Sequence, residues 1–174
     1  LFNSSINGIE ESDLIFLIGT NPRYEATILN ARIRKSFLNN NTKVISLNDL
    51  GDLTFPYESL DGQTQTLKDI FEDNHEISKK IIAADKPMII LGESLLNLKS
   101  SKYFFNIIKE FLVSNDKIND DWNSFNILSS DAATVGNFDL GLVNEDNNLL
   151  DDLQNHKFDI IYLVGQDNLN FNKK

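Results

Sequence analysis

Four short apolar runs constrain this chain more than any other feature: Asp13 to Ile18, Lys43 to Leu47, Pro87 to Leu91 and Phe158 to Val164. They are continuous rather than alternating. An alternating strand buries one face, whereas an unbroken apolar strand needs cover on both, the situation of a parallel sheet held between two helix layers. Three of the runs end in glycine, at Gly19, Gly92 and Gly165, so the same sharp turn is expected at the carboxyl edge of the sheet each time.

The intervening segments carry helical spacing. After Asn21-Pro22, the residues Ala26, Leu29, Ile33 and Phe37 fall three or four apart on one stripe. Asn21 suits the N-cap, Pro22 the first helical position, and Glu25 lies near the positive helix end. A second helical region carries Leu67, Ile70 and Phe71. A third, after a cap at Asn74, carries Ile77, Ile81 and Ile82 before Lys86-Pro87 forces an exit. A fourth, about Ser101 to Val113, presents Phe104, Ile107, Ile108 and Phe111. Between Asn115 and Asn148 no strand is evident, and Asp121 to Leu128 reads as a short helix anchored by Trp122 and Phe125. A last helical turn around Leu149, Leu150 and Leu153 leads into the fourth run. The expected fold is a three-layer α/β/α arrangement, mainly parallel and Rossmann-like, forming one domain over residues 1–174.

Composition narrows the chemistry. The chain has 26 acidic and 16 basic residues, a formal charge of −10, so its field repels nucleic acid and anionic lipid. It contains no cysteine and two histidines, His75 and His156, which rules out a disulfide or a cysteine-ligated zinc or iron–sulfur site within these residues. The apolar runs fall far short of the roughly 20 residues that span a bilayer, so direct membrane insertion is not expected. The opening Leu1 to Ser5 has neither an initiator methionine nor signal-peptide regions, and reads as a cut inside a longer chain.

Candidate chemical groups are few. The turn Gly19, Thr20, Asn21, Pro22 precedes a helix, where N–H groups can cradle phosphate, but a capped strand-to-helix turn is the favoured reading. No Gly-x-Gly-x-x-Gly fingerprint, Walker lysine or Gly-x-Ser-x-Gly elbow occurs. The pairs Asp49/Asp52, Asp120/Asp121 and Asp151/Asp152 lie in polar stretches without a neighbouring histidine and read as solvated. Arg23, Arg32, Arg34 and Lys35 form the basic concentration, for which docking to a carboxylate and plain solvation are equal readings.

The block Leu17 to Ala26, followed by Asn30-Ala31-Arg32-Ile33-Arg34-Lys35, resembles the large iron–sulfur subunit of respiratory complex I, the NADH:quinone oxidoreductase. The resemblance continues through Asp52-Leu53-Thr54 with Tyr57, Lys86-Pro87-Met88 with Gly92, Asn126-Ile127-Leu128 and Asp139-Leu140-Gly141, covering nearly the whole sequence. That family is similar in turn to molybdopterin oxidoreductases such as formate dehydrogenase, in which a Gly-x-Asn-Pro turn borders the pterin nucleotide. Gly19-Thr20-Asn21-Pro22 matches that turn, whereas Leu47 is followed by Asn48-Asp49-Leu50-Gly51 rather than by an Asp-Pro-Arg type sequence.

The resemblance implies a vestigial loop, no catalytic residue, no cofactor and no metal in this fragment, with [2Fe–2S] and [4Fe–4S] clusters in the N-terminal region of the full-length subunit. It also implies partners among the complex I peripheral-arm subunits and the rest of the same chain. The corresponding place is the cytoplasmic face of the bacterial inner membrane, or the matrix side in mitochondrial homologues. Full-length electron transfer from NADH toward quinone would then run outside these residues. Two other readings stand beside it: a fragment of a molybdopterin-dependent oxidoreductase, and a stand-alone nucleotide-binding α/β domain.

Overall fold

The computed structural model describes residues 2–129, 133–142, 149–155 and 157–162, in two compact units divided between residues 132 and 133. The first unit contains a five-stranded sheet, β1 (Leu14–Ile18), β2 (Lys43–Ser46), β3 (Glu58–Ser59), β4 (Pro87–Leu91) and β5 (Phe125–Ile127), ordered β3-β2-β1-β4-β5 with every pairing parallel. Its helices are α1 (Pro22–Glu25), α2 (Thr27–Asn40), α3 (Thr64–Phe71), α4 (Glu76–Ala83), α5 (Glu93–Leu96) and α6 (Ser101–Ser114). The second unit contains α7 (Thr134–Asp139) and α8 (Leu149–Gln154). The α/β class with a parallel sheet is therefore as the sequence implies.

All five residues of β1 and all five of β4 are buried, which is why these runs are apolar without a break. Phe16 stands in register with Ile45 on one side and Ile89 on the other. Leu14, Phe16, Ile18, Ile45, Ile89 and Leu91 join Leu67, Ile70, Ile77, Ile81, Phe104 and Ile108 in one core. The ring of Phe71 stacks at 6.4 Å on Phe16 and meets Phe111 edge-on at 5.4 Å. On the other face, Ile15, Leu17, Val44, Met88 and Ile90 meet Leu29 and Ile33 of α2.

Four local expectations need correction. The first helix is not continuous: Ala26 leaves the helical region at φ −150°, separating α1 from α2. Of the expected stripe, Leu29 and Ile33 are buried, and Asn30 and Ser36 are buried beside them. Asn30 Nδ2 donates to the carbonyl of Leu53 at 3.0 Å, and the Ser36 and Thr42 hydroxyls pair at 2.6 Å, which lets polar groups sit there. The cap of α4 is His75, whose Nδ1 accepts from the Ile77 N–H at 3.2 Å, not Asn74.

Asp121 to Leu128 contains strand β5 rather than a helix. The central Asn126 breaks the apolar signal, yet it is fully buried because Nδ2 donates to Ser4 Oγ at 2.9 Å and Oδ1 accepts from the Ser4 N–H. Finally, Phe158 to Tyr162 forms no strand and is exposed. Apolar continuity suits a segment to double-sided burial, but a strand also requires a paired backbone, and residues 157–162 have no such pairing. Leu163, Val164 and Gly165 lie outside the described residues.

Trp122 and Phe125 do anchor this region. Phe125 is buried and meets Phe105 edge-on at 4.9 Å. Trp122 is half-buried: its ring lies against Gly8, its Nε1 donates to the Pro87 carbonyl at 2.7 Å, and Lys86 Nζ sits 5.3 Å from the ring centre. Because burial is partial, Trp122→Ala is expected to destabilise by about 2–3 kcal/mol, below the full-burial figure, and Trp122→Phe by about 1 kcal/mol for the lost hydrogen bond. Urea denaturation would measure both; a Trp122→Phe variant as stable as wild type would mean that the indole N–H contributes nothing, and equal losses in the two variants that the ring packing contributes nothing.

Candidate functional site

The strand order reverses around β1, which has β2 on one side and β4 on the other, and ligands in doubly wound sheets bind at such a switch point beyond the carboxyl ends of the strands. A cleft of about 260 Å³ lies there, lined by Gly19, Thr20, Asn21, Glu25, Asn48, Asp49, Leu50 and Ser94. A larger cleft of about 460 Å³, with Asp13, Lys43, Lys79 and Lys80 among its lining residues, contains no part of the Gly19 turn.

At the switch point two glycines let backbones meet. Gly19 adopts φ +65°, and Gly92 approaches it so closely that a β-carbon on Gly92 would lie 2.4 Å from the Gly19 carbonyl oxygen and 2.4 Å from Thr20 Cβ. The Gly92 N–H donates to the Ile18 carbonyl at 2.8 Å, and the Ser94 N–H to the Gly19 carbonyl at 3.2 Å. These glycines make room for neighbouring chain rather than for a ligand.

The turn's polar groups are engaged within the protein. Glu25 receives the Thr20 hydroxyl at Oε2, 2.6 Å away, and the Asn21 N–H at Oε1, 3.0 Å away. Asn21 Oδ1 accepts from the Arg23 N–H at 3.2 Å, while its Nδ2 donates to the Leu50 carbonyl at 3.1 Å. This reciprocal cap explains why Asn21, Pro22 and Glu25 occur at this spacing. It also puts a carboxylate against the donors that a phosphate would use.

Across the cleft, the loop after β2 is tied around Tyr57. Its hydroxyl accepts from the Leu50 N–H at 2.8 Å and lies 2.8 Å from Asp49 Oδ1 and 3.0 Å from the Gly51 carbonyl, sharing its single proton between them. The Gly51 N–H and then the Tyr57 hydroxyl hold the Asp49 carboxyl below its ordinary range. Partial burial, followed by Asp49, raises the Tyr57 phenol. The carboxylates at this edge are therefore structural partners, a role that spacing alone did not reveal for Asp49.

The four basic candidates do not converge. Arg23 bridges Asp52 Oδ2 at 2.7 Å and also donates to the Asp52 carbonyl, lowering the Asp52 carboxyl. Arg32 and Lys35 share Glu10 at 3.0 and 2.8 Å. Arg34 has no ion-pair partner among the described residues, though it lies within electrostatic reach of Asp52. Among those residues no group of three or more His, Cys, Asp or Glu side chains is poised to hold a metal ion.

Parallel strands and a cleft at the switch point together define a doubly wound α/β domain. Residues 1–174 match the molybdopterin oxidoreductase family throughout, and the chain belongs to it. It is similar to the mitochondrial NADH-ubiquinone oxidoreductase 78 kDa subunit of Candida albicans, at 36% identity over 97% of this chain and 22% of that protein. It is also similar to the NADH-ubiquinone oxidoreductase 75 kDa subunit of Reclinomonas americana, at 37% identity over 96% of this chain and 24% of that protein. A third relative is the mitochondrial NADH dehydrogenase [ubiquinone] iron-sulfur protein 1 of Solanum tuberosum, at 35% identity over 99% of this chain and 23% of that protein. The chain thus spans about a quarter of the length of these curated relatives or slightly less.

The cleft residues do not fit the family's pterin nucleotide. Glu25 engages the Thr20 hydroxyl and the Asn21 N–H, and Glu25 and Asp49 line the cleft with two carboxylates, which disfavour a phosphate ligand.

Gly92→Ala should destabilise by about 3 kcal/mol or more, because the new atom meets backbone. Gly136→Ala in α7, with open space around it, should instead gain about 0.5–1 kcal/mol. Denaturation midpoints check the contrast. A carboxyl whose folded pKa is depressed contributes stability present above its unfolded value of about 3.9 and lost as pH falls through the lower folded value. Asp49→Asn should therefore lower the midpoint near about pH 7, with the difference shrinking as the pH falls through the depressed folded value and the wild-type carboxyl takes up its proton. A variant effect that persists in acid would place the role of Asp49 elsewhere.

Proposed function

We propose that this chain is a redox-inactive scaffold domain of the large iron–sulfur subunit of respiratory complex I, belonging to a longer protein that passes electrons from NADH toward quinone. The observation that carries the reading is the Glu25 carboxylate seated on the Thr20 hydroxyl and the Asn21 N–H. An anion-binding turn satisfied by its own chain gains little from a phosphate ligand, which would bring a second negative charge beside the first. Similarity to 75 and 78 kDa subunits over almost the full chain supports the assignment to that subunit. On this reading Gly19, Thr20, Asn21 and Pro22 form a vestigial loop. On the same reading [2Fe–2S] and [4Fe–4S] clusters belong to the N-terminal region of the longer protein; the Solanum tuberosum relative is named an iron-sulfur protein. The partners are other peripheral-arm subunits and the rest of the same chain. The corresponding location is the cytoplasmic face of a bacterial inner membrane or the matrix side in mitochondria. No helix among the described residues is long and apolar enough to cross a membrane.

Family membership favours one alternative, an active molybdopterin-dependent oxidoreductase. Calorimetry on the purified chain with a pterin guanine nucleotide, NADH and ATP, together with a visible absorption spectrum, separates the two readings. The scaffold predicts a colourless protein with no saturable heat. Micromolar binding of the pterin nucleotide would establish the alternative instead.

A further inference from the structure

Strand β5 lies at one edge of the sheet, and an edge strand offers its outer backbone to whatever runs beside it. Here the start of the chain runs beside it. Phe2 forms an antiparallel bridge with Asn126, Asn3 Nδ2 donates to the Phe125 carbonyl at 2.6 Å, and the Ser4 N–H donates to Asn126 Oδ1 at 2.9 Å. Ser4 Oγ accepts from Asn126 Nδ2 and donates to the Asn123 carbonyl. Side chains alternate across such a segment: Phe2 packs with the core on the α2 side of the sheet, while Asn3 helps line a groove of about 260 Å³ on the opposite side. Phe105 of α6, Ile118, Phe125 and Ile127 form apolar walls of that groove. Phe105, Ile118 and Ile127 are only half-buried, although all three pack against the core.

We propose that the segment immediately before Leu1 in the longer protein continues as an antiparallel strand along β5, with alternate side chains, apolar ones, seated in this groove. The inference rests on the scaffold reading, which puts the N-terminal region of the longer protein ahead of Leu1 and so supplies the occupant; the chain spans only about a quarter of its relatives' length. Direction selects that segment. Because the bridge from Phe2 to Asn126 is antiparallel, residues entering Phe2 run past Ile127 and Leu128, and they reach the groove wall at Ile127 without a turn. A strand arriving from elsewhere would meet Asn3 and Ser4 already bonded to Phe125 and Asn126, so it could not pair along the length of β5. The walls select the pattern: one face of the incoming strand covers Phe105, Ile118 and Ile127 with apolar residues at every second position.

The test uses the full-length subunit in its native assembly. A photo-crosslinking benzoylphenylalanine replaces Phe105, and in a control it replaces Val113, an exposed residue of the same helix outside the groove. The expected product joins position 105 to a peptide of the same polypeptide within about ten residues before Leu1, the length of a strand; position 113 gives no such product. Hydrogen exchange on the wild-type subunit should find the amides of that peptide slowed by about a hundredfold or more relative to an unstructured chain. Ile127→Asp should cost that peptide about tenfold in protection and leave Ile15 to Leu17 of β1 protected as in wild type. A crosslink only to the groove's own walls, to the run from Phe158, to a second copy, to a different polypeptide or to nothing overturns the upstream strand. Unslowed exchange before Leu1 does the same, as does protection there that Ile127→Asp leaves unchanged. Should Ile127→Asp fail to fold, the crosslink and the wild-type exchange decide. None of these results disturbs the scaffold reading, which fails only if the switch-point cleft proves to hold a nucleotide or pterin.

Discussion

Burying both faces of β1 is the constraint on which the rest of this structure depends. A strand with Phe16 toward one layer and Ile15 and Leu17 toward the other must have helices above and below, and its two edges must be paired. Parallel partners supply the pairing, and parallel partners require crossovers long enough to contain helices. The register that follows, Phe16 beside Ile45 and Ile89, brings the carboxyl ends of β1, β2 and β4 to a common edge. The cleft is thus a by-product of how the core is built.

What that edge can do is decided by side chains a few residues further on. A strand that turns into a helix delivers N–H groups at the helix start, an arrangement that favours anions. Here Glu25 answers those donors from within the chain, and Tyr57 ties the facing loop to Asp49 and Leu50. The close contact of Gly92 with Gly19 packs backbone against backbone beside the cleft. A shared fold leaves the chemistry of its rim open, because the fold is set by the core and the chemistry by a handful of groups at its edge.

Electrostatic economy follows the same pattern. Glu10 serves both Arg32 and Lys35, and Asp52 serves Arg23, so a basic cluster conspicuous in the sequence is largely neutralised inside the domain. Such exposed pairs contribute little to stability.

The sequence by itself determined β1, β2 and β4, the cap at Asn21 with Pro22, and helices α3, α4, α6 and α8, since apolar period and capping chemistry are local properties of the chain. The family was also legible, carried by the block from Leu17 through Lys35. Strand β5 was not, because Asn126 looks polar until Ser4, 122 positions away, satisfies it. The strand predicted from Phe158 went astray over its described part, Phe158 to Tyr162, for the complementary reason: apolarity records a preference for burial, while pairing needs a partner that spacing cannot specify. Tertiary structure alone decided that Glu25 turns back onto Thr20, that Tyr57 rather than a histidine organises the facing loop, and that Glu10 gathers two cations. Each joins groups whose meeting depends on how the chain is folded in space, and hydrogen bonds and ion pairs act only over that final distance.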